Sequence, residues 1–468
     1  MVFSNIVFLV LFLPIFLIFY FTFKKRKFRN IILLVFSLIF YAWGEPIYII
    51  LMIFSILLNY FLAKKIDDTR KNKKESKTYL IIALILNIGL LIFFKYSNFL
   101  AEIINIFGFK LPYFNIALPI GISFYTFQAL SYVIDVYWNN VKVQRNPLYL
   151  GCYITAFPQL IAGPIVRYET IEDELDNRKE NISLFSEGIR RFILGLAKKV
   201  LIANSVAYIA DTLFSYSASE LGLLGTWIAL SSYTLQIYFD FSGYSDMAIG
   251  LGKMLGFNFL ENFNYPYIAN SITDFWRRWH ISLSSFFKDY VYIPLGGNRV
   301  KKYRHIINIM IVWALTGLWH GASWNFVIWG IYYGILLLIE KYILKKHLEK
   351  WPKLLRHTYA ILIIMIGWLI FRQTSIVEIL DYLKAMVGVY GVGSTKLLKI
   401  TQIFQMKYII FWTLGIIFST PIYKKISDYF NKSNKRKYIF DILLILLFIV
   451  TIFYVVVGSY NPFIYFRF

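Results

Sequence analysis

Two of the five histidines in this sequence stand in patterns that could carry out chemistry. His320 lies in the stretch TGLWHGASW between two apolar segments, and His280 lies in SITDFWRRWHISLSSFFKDY. An ionisable side chain at membrane depth is costly to bury and usually has a functional role. A buried neutral imidazole can take a proton from a hydroxyl group, which acyl transfer to an alcohol requires. His320 is therefore a candidate general base, and a structural histidine bonded to a neighbouring carbonyl is the alternative.

The residues around His320 indicate how it is positioned. Gly317 and Gly321 flank it and permit a helix break or a close approach of backbones. A helix over residues 305–319 rises about 22 Å at about 1.5 Å per residue, short of the roughly 30 Å hydrocarbon core. If the basic residues before this helix mark the inner surface, His320 lies inside the membrane. Two tryptophans would shield it from lipid, Trp319 and Trp324.

The segment around His280, residues 271–299, predicts a helix capped by Ser271 or Thr273. On such a helix, residues three and four apart share a face. Asp274 can then pair with Arg277 and Arg278. Trp276 lies beside Trp279 and His280. Aromatic and basic residues together also suit an interfacial anchor, and this alternative stays open.

Other chemistries lack their patterns. The sequence has no Walker A motif, no G-x-S-x-G turn and no H-E-x-x-H helix. The polar residues of FDFSGYSDM are predicted to line a cavity or to satisfy backbone groups at a helix break: Asp240, Ser242, Ser245 and Asp246. No metal site is expected, because no carboxylate or cysteine cluster accompanies the histidines. Cys152 is the one cysteine, which excludes disulfides within the chain. It is predicted to be a small buried thiol.

The composition places these residues in a polytopic integral membrane protein. Hydrophobic residues make up 58% of the 468 and charged residues only 16%. A net charge of +23 is typical of cytoplasmic anchoring by basic loops, so nucleic-acid binding is not expected. The predicted hydrophobic segments are 1–23, 31–43, 46–63, 79–94, 305–318, 322–344, 359–371, 407–420 and 438–457. The remaining histidines fall in basic connections and are predicted to be solvated or near headgroups: His305, His347 and His357.

The middle of the chain, residues 116–298, is interrupted by proline, glycine and polar residues. Irregular backbone at membrane depth is tolerated only beside protein or water, which favours re-entrant segments around a cavity. Residues 167–199 are predicted to form a cytoplasmic loop and then an amphipathic helix at the inner surface, or merely a solvated loop. The basic residues assigned to headgroups are Arg190, Arg191, Lys198 and Lys199. We predict a single membrane domain over residues 1–468, with residues 262–304 as a cytoplasmic-side re-entrant region carrying His280.

The stretches WRRWHISLSSF and LTGLWHGASWNFVIWG resemble the two histidine segments of the membrane-bound O-acyltransferase family. The resemblance continues through FYAWGEP, FFKYSNF, LPIGISFYTFQALSYVIDVYW, FPQLIAGPIVRY and QIYFDFSGYSDMAIGLGKMLGFNFLENFNYPY. It is strongest to the bacterial subgroup of alginate and peptidoglycan O-acetylation membrane proteins. The ending NPFIYFRF favours this subgroup over the D-alanine exporters that serve teichoic acids.

The resemblance implies an all-α fold of about eleven transmembrane helices with re-entrant segments around a central pore. It implies that His320 is catalytic and His280 a second important residue. The implied reaction moves an acetyl group from a cytoplasmic thioester, acetyl-CoA, across the plasma membrane to an exopolysaccharide or cell-wall glycan, with no bound cofactor. The implied partners are an extracytoplasmic acetyltransferase and membrane lipids. Candidate substrate-binding residues are Asp274, Trp276, Arg277, Arg278, Trp279, Trp319 and Asn325.

A polyanionic donor is expected to dock at a positively charged inner mouth. The expected basic residues there are Arg277, Arg278, Lys288 and Arg299.

Two other functions stay open. One is transfer of D-alanine or another acyl group to a surface polymer. The other is transport of a polysaccharide or lipid, with His320 as a proton relay.

Overall fold

The computed structural model describes residues 2–161, 163–393, 405–458 and 460–464. Within these ranges every regular element is a helix and no strand occurs, which confirms the predicted all-α fold. The chain divides into two compact units. The first comprises Met1–Phe192 and Ser245–Leu260, and the second comprises Ile193–Tyr244 and Glu261–Phe468. The single domain over residues 1–468 stays a prediction.

The first unit is built from helices in the first 180 residues. In chain order these are α1 (Leu13–Thr22), α2 (Arg26–Ala42), α3 (Ile49–Asp68), α4 (Lys73–Leu91), α5 (Ser97–Ile106), α6 (Ile122–Trp138), α7 (Pro147–Thr155), α8 (Phe157–Leu160) and α9 (Tyr168–Asn177). Two longer helices have residues in both units, α10 (Ile182–Ala197) and α12 (Ala218–Met254).

The second unit contains the remaining described helices. They are α11 (Asn204–Phe214), α13 (Ile272–Arg278), α14 (Ile281–Phe287), α15 (Lys302–His320), α16 (Trp324–Ile339), α17 (Lys345–Leu348), α18 (Lys353–Arg372), α19 (Ile376–Met386), α20 (Met406–Phe418), α21 (Ile422–Phe430) and α22 (Asn434–Val457). Residues 262–301 hold short helices and turns, and α15 begins at Lys302, so most of the region 262–304 has irregular backbone. The place of this region at the membrane stays a prediction.

Six helices of the described chain are long and apolar enough to cross a membrane. They are Ile49–Asp68, Lys73–Ile106, Ile182–Phe214, Trp324–Leu348, Lys353–Arg372 and Asn434–Val457. A seventh span is possible if α20 and α21, which meet at a bend of 78°, cross together. The apolar helix Phe8–Thr22 is shorter than a span, and α15, with its basic first turn, is not among the six. The six or seven candidate spans of the described chain are fewer than the expected eleven, and the number eleven stays a prediction.

The sequence predicted that a helix is interrupted at residues 240–246, but α12 continues through these residues. Its non-helical position is Gly222, far from these polar residues, so the predicted helix break there is wrong. Asp240 instead forms an ion pair of 2.6 Å with Lys199, and both side chains are almost fully buried. A buried charge must be paired, because leaving it alone costs several kcal/mol. Lys199 therefore does not reach headgroups, and its predicted role at the membrane surface is wrong.

Arg178 organises a buried polar cluster in the first unit. Its guanidinium donates to the side chains of Tyr20 and Asn30 and to the carbonyl oxygen of Leu255. Glu180 lies beside it and pairs with Arg29 at 2.7 Å. Arg178 and Glu180 lie in the segment 167–199, whose first part was predicted to be a cytoplasmic loop. The charges satisfy one another, so this part of the segment is packed against the helices of its own unit.

Small residues let α15 and α16 approach closely in the second unit. A Cβ atom on Gly317 would lie 2.2 Å from the carbonyl oxygen of Phe326, and one on Gly330 would lie 2.3 Å from that of Trp313. Neither distance leaves room for a side chain.

Cys152, in the first unit, is buried as predicted.

Candidate active site

The segment before His280 forms α13 with the predicted cap. The hydroxyl of Ser271 accepts a hydrogen bond of 2.9 Å from the backbone N–H of Asp274. Asp274 pairs with Arg278 at 2.9 Å, one helical turn away. The helix ends at Arg278, however, and Trp279 is extended. The predicted face shared by Trp276, Trp279 and His280 is therefore wrong, because the helix is too short to contain all three residues.

The two tryptophans of this segment pack against different neighbours. Trp276 contacts the rings of Trp313, Trp329 and Tyr333, which belong to α15 and α16. Trp279 contacts Trp368 of α18, with ring centroids 4.8 Å apart. Both indoles are buried. The break after α13 thus directs successive aromatic side chains to separate helices, which fixes the segment within the second unit.

His280 occupies an unusual backbone conformation. Its φ of 45° and ψ of 55° lie in the left-handed region, which is strained for a residue with a side chain. Its ring is 1% exposed and packs edge-on against Phe241 at 4.6 Å. The Nδ1 atom lies 3.2 Å from Oδ1 of Asn262. Burial lowers the pKa of His280 to about 3, so the imidazole is neutral at physiological pH.

His320 is the last residue of α15 and is half-buried. The predicted helix end beside Gly321 is confirmed, because this glycine is extended and a Cβ atom on it would lie 2.1 Å from the ring of Phe326. The imidazole packs edge-on against Trp329 at 5.0 Å and Phe371 at 5.2 Å. The rise from Lys302 to His320 is about 27 Å. This is still short of a roughly 30 Å core, and the depth of His320 in a membrane stays a prediction.

A single indole links the two histidines. The ring of Trp319 lies 5.7 Å from His280 and 4.9 Å from His320, measured between ring centroids. Trp319 is buried and Trp324 is 44% exposed, and shielding of His320 from lipid by these tryptophans stays a prediction. The structure therefore brings the two predicted histidines to one place, although they come from different helices. Their shared neighbour is apolar except for its N–H group.

Asn325 supports the surroundings of His320. Its side-chain amide donates a hydrogen bond of 3.2 Å to the carbonyl oxygen of Phe371, which contacts His320. Its oxygen accepts a hydrogen bond from Ser323. Asn325 is 5% exposed and ties the start of α16 to the end of α18. These contacts leave its amide engaged with protein groups.

A cavity of about 830 Å³ lies beside His280 in the second unit. One wall is a face of α15, formed by His305, Ile309, Val312, Trp313 and Thr316. The residues from His305 to Thr316 span about 16 Å along that helix. Because His280 contacts Trp319, it lies near the end of the wall at Thr316. A volume of this size can hold a ligand as large as a typical cofactor.

The opposite end of the cavity is basic. Its position follows from Lys341, which lies just after α16 and contacts His305 at the start of α15. Five basic and three acidic side chains line the cavity: Arg277, Lys288, Lys341, Lys345, Arg356, Asp274, Glu340 and Glu349. Glu340 accepts hydrogen bonds of 2.6 and 2.8 Å from the backbone N–H groups of Ile272 and Thr273. That carboxylate is occupied with the start of α13, so positive charge dominates the rest of the wall.

His305 is part of this basic end and is 2% exposed. Its Nε2 lies 2.9 Å from both Lys341 Nζ and the Tyr292 hydroxyl, and its Nδ1 lies 2.7 Å from the Tyr342 hydroxyl. The predicted solvated or headgroup role for His305 is therefore wrong. His347 is exposed, and His357 lies 3.1 Å from the carbonyl oxygen of Ala269.

The predicted site residues fall into two groups. Those that line the cavity are Asp274, Trp276, Arg277 and His280, together with Lys288 of the expected inner mouth. The other predicted residues lie outside its lining: Arg278, Trp279, Arg299, Trp319, His320 and Asn325. In the described chain no group of three histidine, cysteine or carboxylate side chains could hold a metal ion.

Sequence reasoning missed the residues that support the cavity from a distance in the chain. Glu340 and Asn262 are both buried, and each bonds to the segment around His280. Glu340 could have been identified from the sequence, because a glutamate inside a long apolar helix carries a charge that needs a partner. Asn262 lies in a stretch of mixed polar and aromatic residues and carried no such signal.

The chain is similar over residues 142–377 to the membrane-bound O-acyltransferase family, MBOAT. It is 38% identical over 495 residues to the "Probable alginate O-acetylase AlgI" of Pseudomonas putida, with 100% of both chains covered. It is 35% identical over 518 residues to the peptidoglycan O-acetyltransferase of Helicobacter pylori, with 100% of this chain and 98% of the other covered. The chain is 30% identical over 253 residues to the teichoic acid D-alanyltransferase of Bacillus subtilis, with 52% of this chain and 62% of the other covered.

Proposed function

This chain belongs to the membrane-bound O-acyltransferase family, and we propose that it moves an acetyl group from a cytoplasmic thioester to a surface glycan. It is an acyltransferase, as its family and its relatives' names establish. The cavity that connects a basic cluster to His280 carries the proposal. An acyl thioester carries its negative charge on a distant carrier, so a donor site needs this separation of charge from the reacting centre.

The proposed donor is acetyl-CoA. Its phosphates would contact the basic end of the cavity, which is lined by Lys341 and Lys345, one turn apart on the same helix, and by Arg356 of α18. Its acyl end would extend along the face of α15 toward His280 and Thr316. The aromatic wall near that end excludes water, which protects a thioester from hydrolysis.

His320 is the proposed general base. It takes a proton from the acceptor hydroxyl while the hydroxyl oxygen forms a bond to the acyl carbon, and the bond from that carbon to sulfur breaks. The sulfur leaves as a thiolate. Trp319 contacts both imidazoles, so the acceptor and the donor would meet beside its ring. His280 lines the donor cavity and His320 does not, which supports separate tasks for the two residues.

The wider setting of the reaction is also part of the proposal. About eleven spans with re-entrant segments would surround a central pore in the plasma membrane. The acceptor would be an exopolysaccharide or cell-wall glycan, and an extracytoplasmic acetyltransferase would complete its modification. Relatives named for alginate and for peptidoglycan support a glycan acceptor.

Acetyl transfer is favoured over D-alanyl transfer by the extent of similarity. The two O-acetylation relatives align with the whole chain, whereas the D-alanyltransferase relative aligns with about half of it. The basic cavity suits either acyl donor. Donor preference is therefore to be measured by offering acetyl and D-alanyl thioesters to the same membranes.

The test of the function is O-acetylation of the surface glycan in cells that carry His320→Ala at normal abundance. We expect the O-acetyl content to fall to background, because the proton acceptor is lost. His347→Ala is the matched control, since it removes an exposed histidine outside the cavity. Full acetylation with His320→Ala would contradict the assignment. Glycan export that continues without any acetyl donor turnover would instead identify a transporter.

A further inference from the structure

Asn262 is a fully buried side chain that contacts three consecutive residues at the end of the cavity. Its carbonyl oxygen accepts a hydrogen bond of 3.0 Å from the N–H of Ile281. Its Oδ1 atom accepts hydrogen bonds from the N–H of Ser282 at 3.1 Å and from the Ser282 hydroxyl at 2.9 Å. The same Oδ1 lies 3.2 Å from Nδ1 of His280. One asparagine thus holds the strained turn between α13 and α14 through both its backbone and its side chain.

These contacts determine which way the carboxamide of Asn262 points. A backbone N–H can only donate, so the atom that faces Ser282 N must be the oxygen and not the amide nitrogen. That oxygen carries no hydrogen. The Nδ1 atom of His280 must therefore carry the proton and donate it to Oδ1. A neutral imidazole has one N–H, and the second nitrogen, Nε2, is left with a lone pair.

The lone pair on Nε2 belongs to a buried atom of a residue that lines the cavity. His280 is among the residues that line it, and within the described chain no hydrogen-bonding partner meets the buried Nε2 atom. A buried polar atom without a partner is costly, and at a ligand site it marks the place where the ligand supplies the partner. The left-handed backbone of His280 adds to this cost, and strain of this kind concentrates at functional sites.

We propose that Asn262 is a positioning residue that holds His280 as the Nδ1–H tautomer, so that Nε2 meets the donor in the cavity as an acceptor. This inference rests on the proposed function, because it takes the cavity as the acyl donor site. The complementary group on the ligand is an N–H, O–H or S–H donor. The opposite tautomer would present an N–H to the cavity and would repel such a group.

The tautomer can be measured directly by ¹⁵N NMR on the full chain in lipid bilayers, labelled with ¹⁵N-histidine. The His280 signals are assigned by their loss in His280→Gln. We expect a protonated Nδ1 and an unprotonated Nε2 in the unsubstituted protein. Asn262→Leu removes the acceptor at similar size, and we expect it to lose this pattern and to lower acetyl transfer about 100-fold per folded molecule.

Asn308→Leu is the matched control, because Asn308 is equally buried and its side-chain amide donates to the backbone carbonyls of Leu295 and Gly297, its hydrogen-bond partners within the described chain. It loses a buried amide in the same way, yet should retain the tautomer of His280. Protonated Nε2 in the unsubstituted protein would overturn the proposal. So would an Asn262→Leu variant that keeps the original tautomer, or a loss of the tautomer in Asn308→Leu.

If Asn262→Leu does not accumulate, the spectrum of the unsubstituted protein still shows which nitrogen of His280 carries the proton, and this tests the proposal. The expected tautomer together with an absence of acetyl transfer would refute the proposed function and leave the assignment of Asn262 intact. The reverse result, normal transfer with a protonated Nε2, would overturn the role of Asn262 alone.

Discussion

His280 and His320 contact the same indole, but the protein holds them by different means. Polar bonds fix His280, with its Nδ1 toward Asn262 and its backbone in the left-handed region. Aromatic rings surround His320, which ends a helix and stays half-buried. A histidine bonded through one nitrogen has a defined tautomer, whereas ring contacts restrict the position of an imidazole.

This difference suits two tasks in one reaction. A group that orients a bound donor needs a constant hydrogen-bonding character, and burial keeps His280 neutral with a lowered pKa. A group that takes up and releases a proton during each turnover must be able to exist in both charge states. The surroundings of His320, more open to solvent than those of His280, are compatible with this second requirement.

The largest expected effect separates the two histidines by replacing each with glutamine. We expect His320→Gln to lower acetyl transfer by about 10²-fold or more, because glutamine cannot act as a base near neutral pH. His280→Gln should lower it to a similar extent, because the donor loses the imidazole that orients it. Binding of CoA should weaken only in His280→Gln, since of these two histidines it is His280 that lines the cavity. Isothermal titration of purified protein with CoA measures this, and equal weakening in both variants would remove the distinction.

A second change acts on the helix end that presents His320. Gly317→Ala places a Cβ atom 2.2 Å from a carbonyl oxygen of α16, so the two helices must separate. We expect a loss of about 1–3 kcal/mol in stability, as for other overpacked sites. Gly89→Ala is the control, because nothing lies within 4 Å of its added Cβ. Thermal unfolding in bilayers or detergent compares them, and equal unfolding temperatures would contradict the close packing.

A third change loosens the support of His280. Glu340→Gln replaces a carboxylate that accepts from the backbone of α13 and from the hydroxyl of Thr273. Loss of charge-assisted hydrogen bonds should lower stability by about 1–2 kcal/mol. Glu349→Gln removes the same charge from the cavity wall at an exposed position and should leave the unfolding temperature unchanged. Equal effects of the two would indicate that charge, and not support of α13, is responsible.

The smallest expected effect concerns the ion pair of Asp274 and Arg278. Both side chains are about a quarter to a third exposed, so solvent weakens their attraction. Asp274→Asn should lower stability by about 0.3–0.5 kcal/mol, and the difference should shrink at high salt. Unfolding measured at low and at high salt tests this, and a large, salt-independent loss would show that Asp274 has another structural role.

Local patterns predicted local features well. The cap at Ser271, the pair of Asp274 with Arg278, the helix end at His320 and the all-helical fold were each predicted from neighbouring residue types. Predictions that depended on distant partners were wrong. Lys199 was expected at the headgroups and pairs with Asp240, and His305 was expected in solvent and bonds to Tyr292 and Tyr342. Side-chain periodicity does not show which helix will lie opposite a charge.

The sequence by itself determined that the chain is a helical membrane protein of an acyltransferase family and that two of its histidines are candidates for its chemistry. Hydrophobic run length indicates the membrane protein, and the resemblance of the two histidine segments to those of the family indicates the acyltransferase. Only the tertiary structure decided that Trp319 joins the two histidines, that a basic cavity ends at His280, and that Asn262 controls its tautomer. Those features arise from contacts between segments far apart in the chain, where packing and the need to satisfy buried polar groups select the partners.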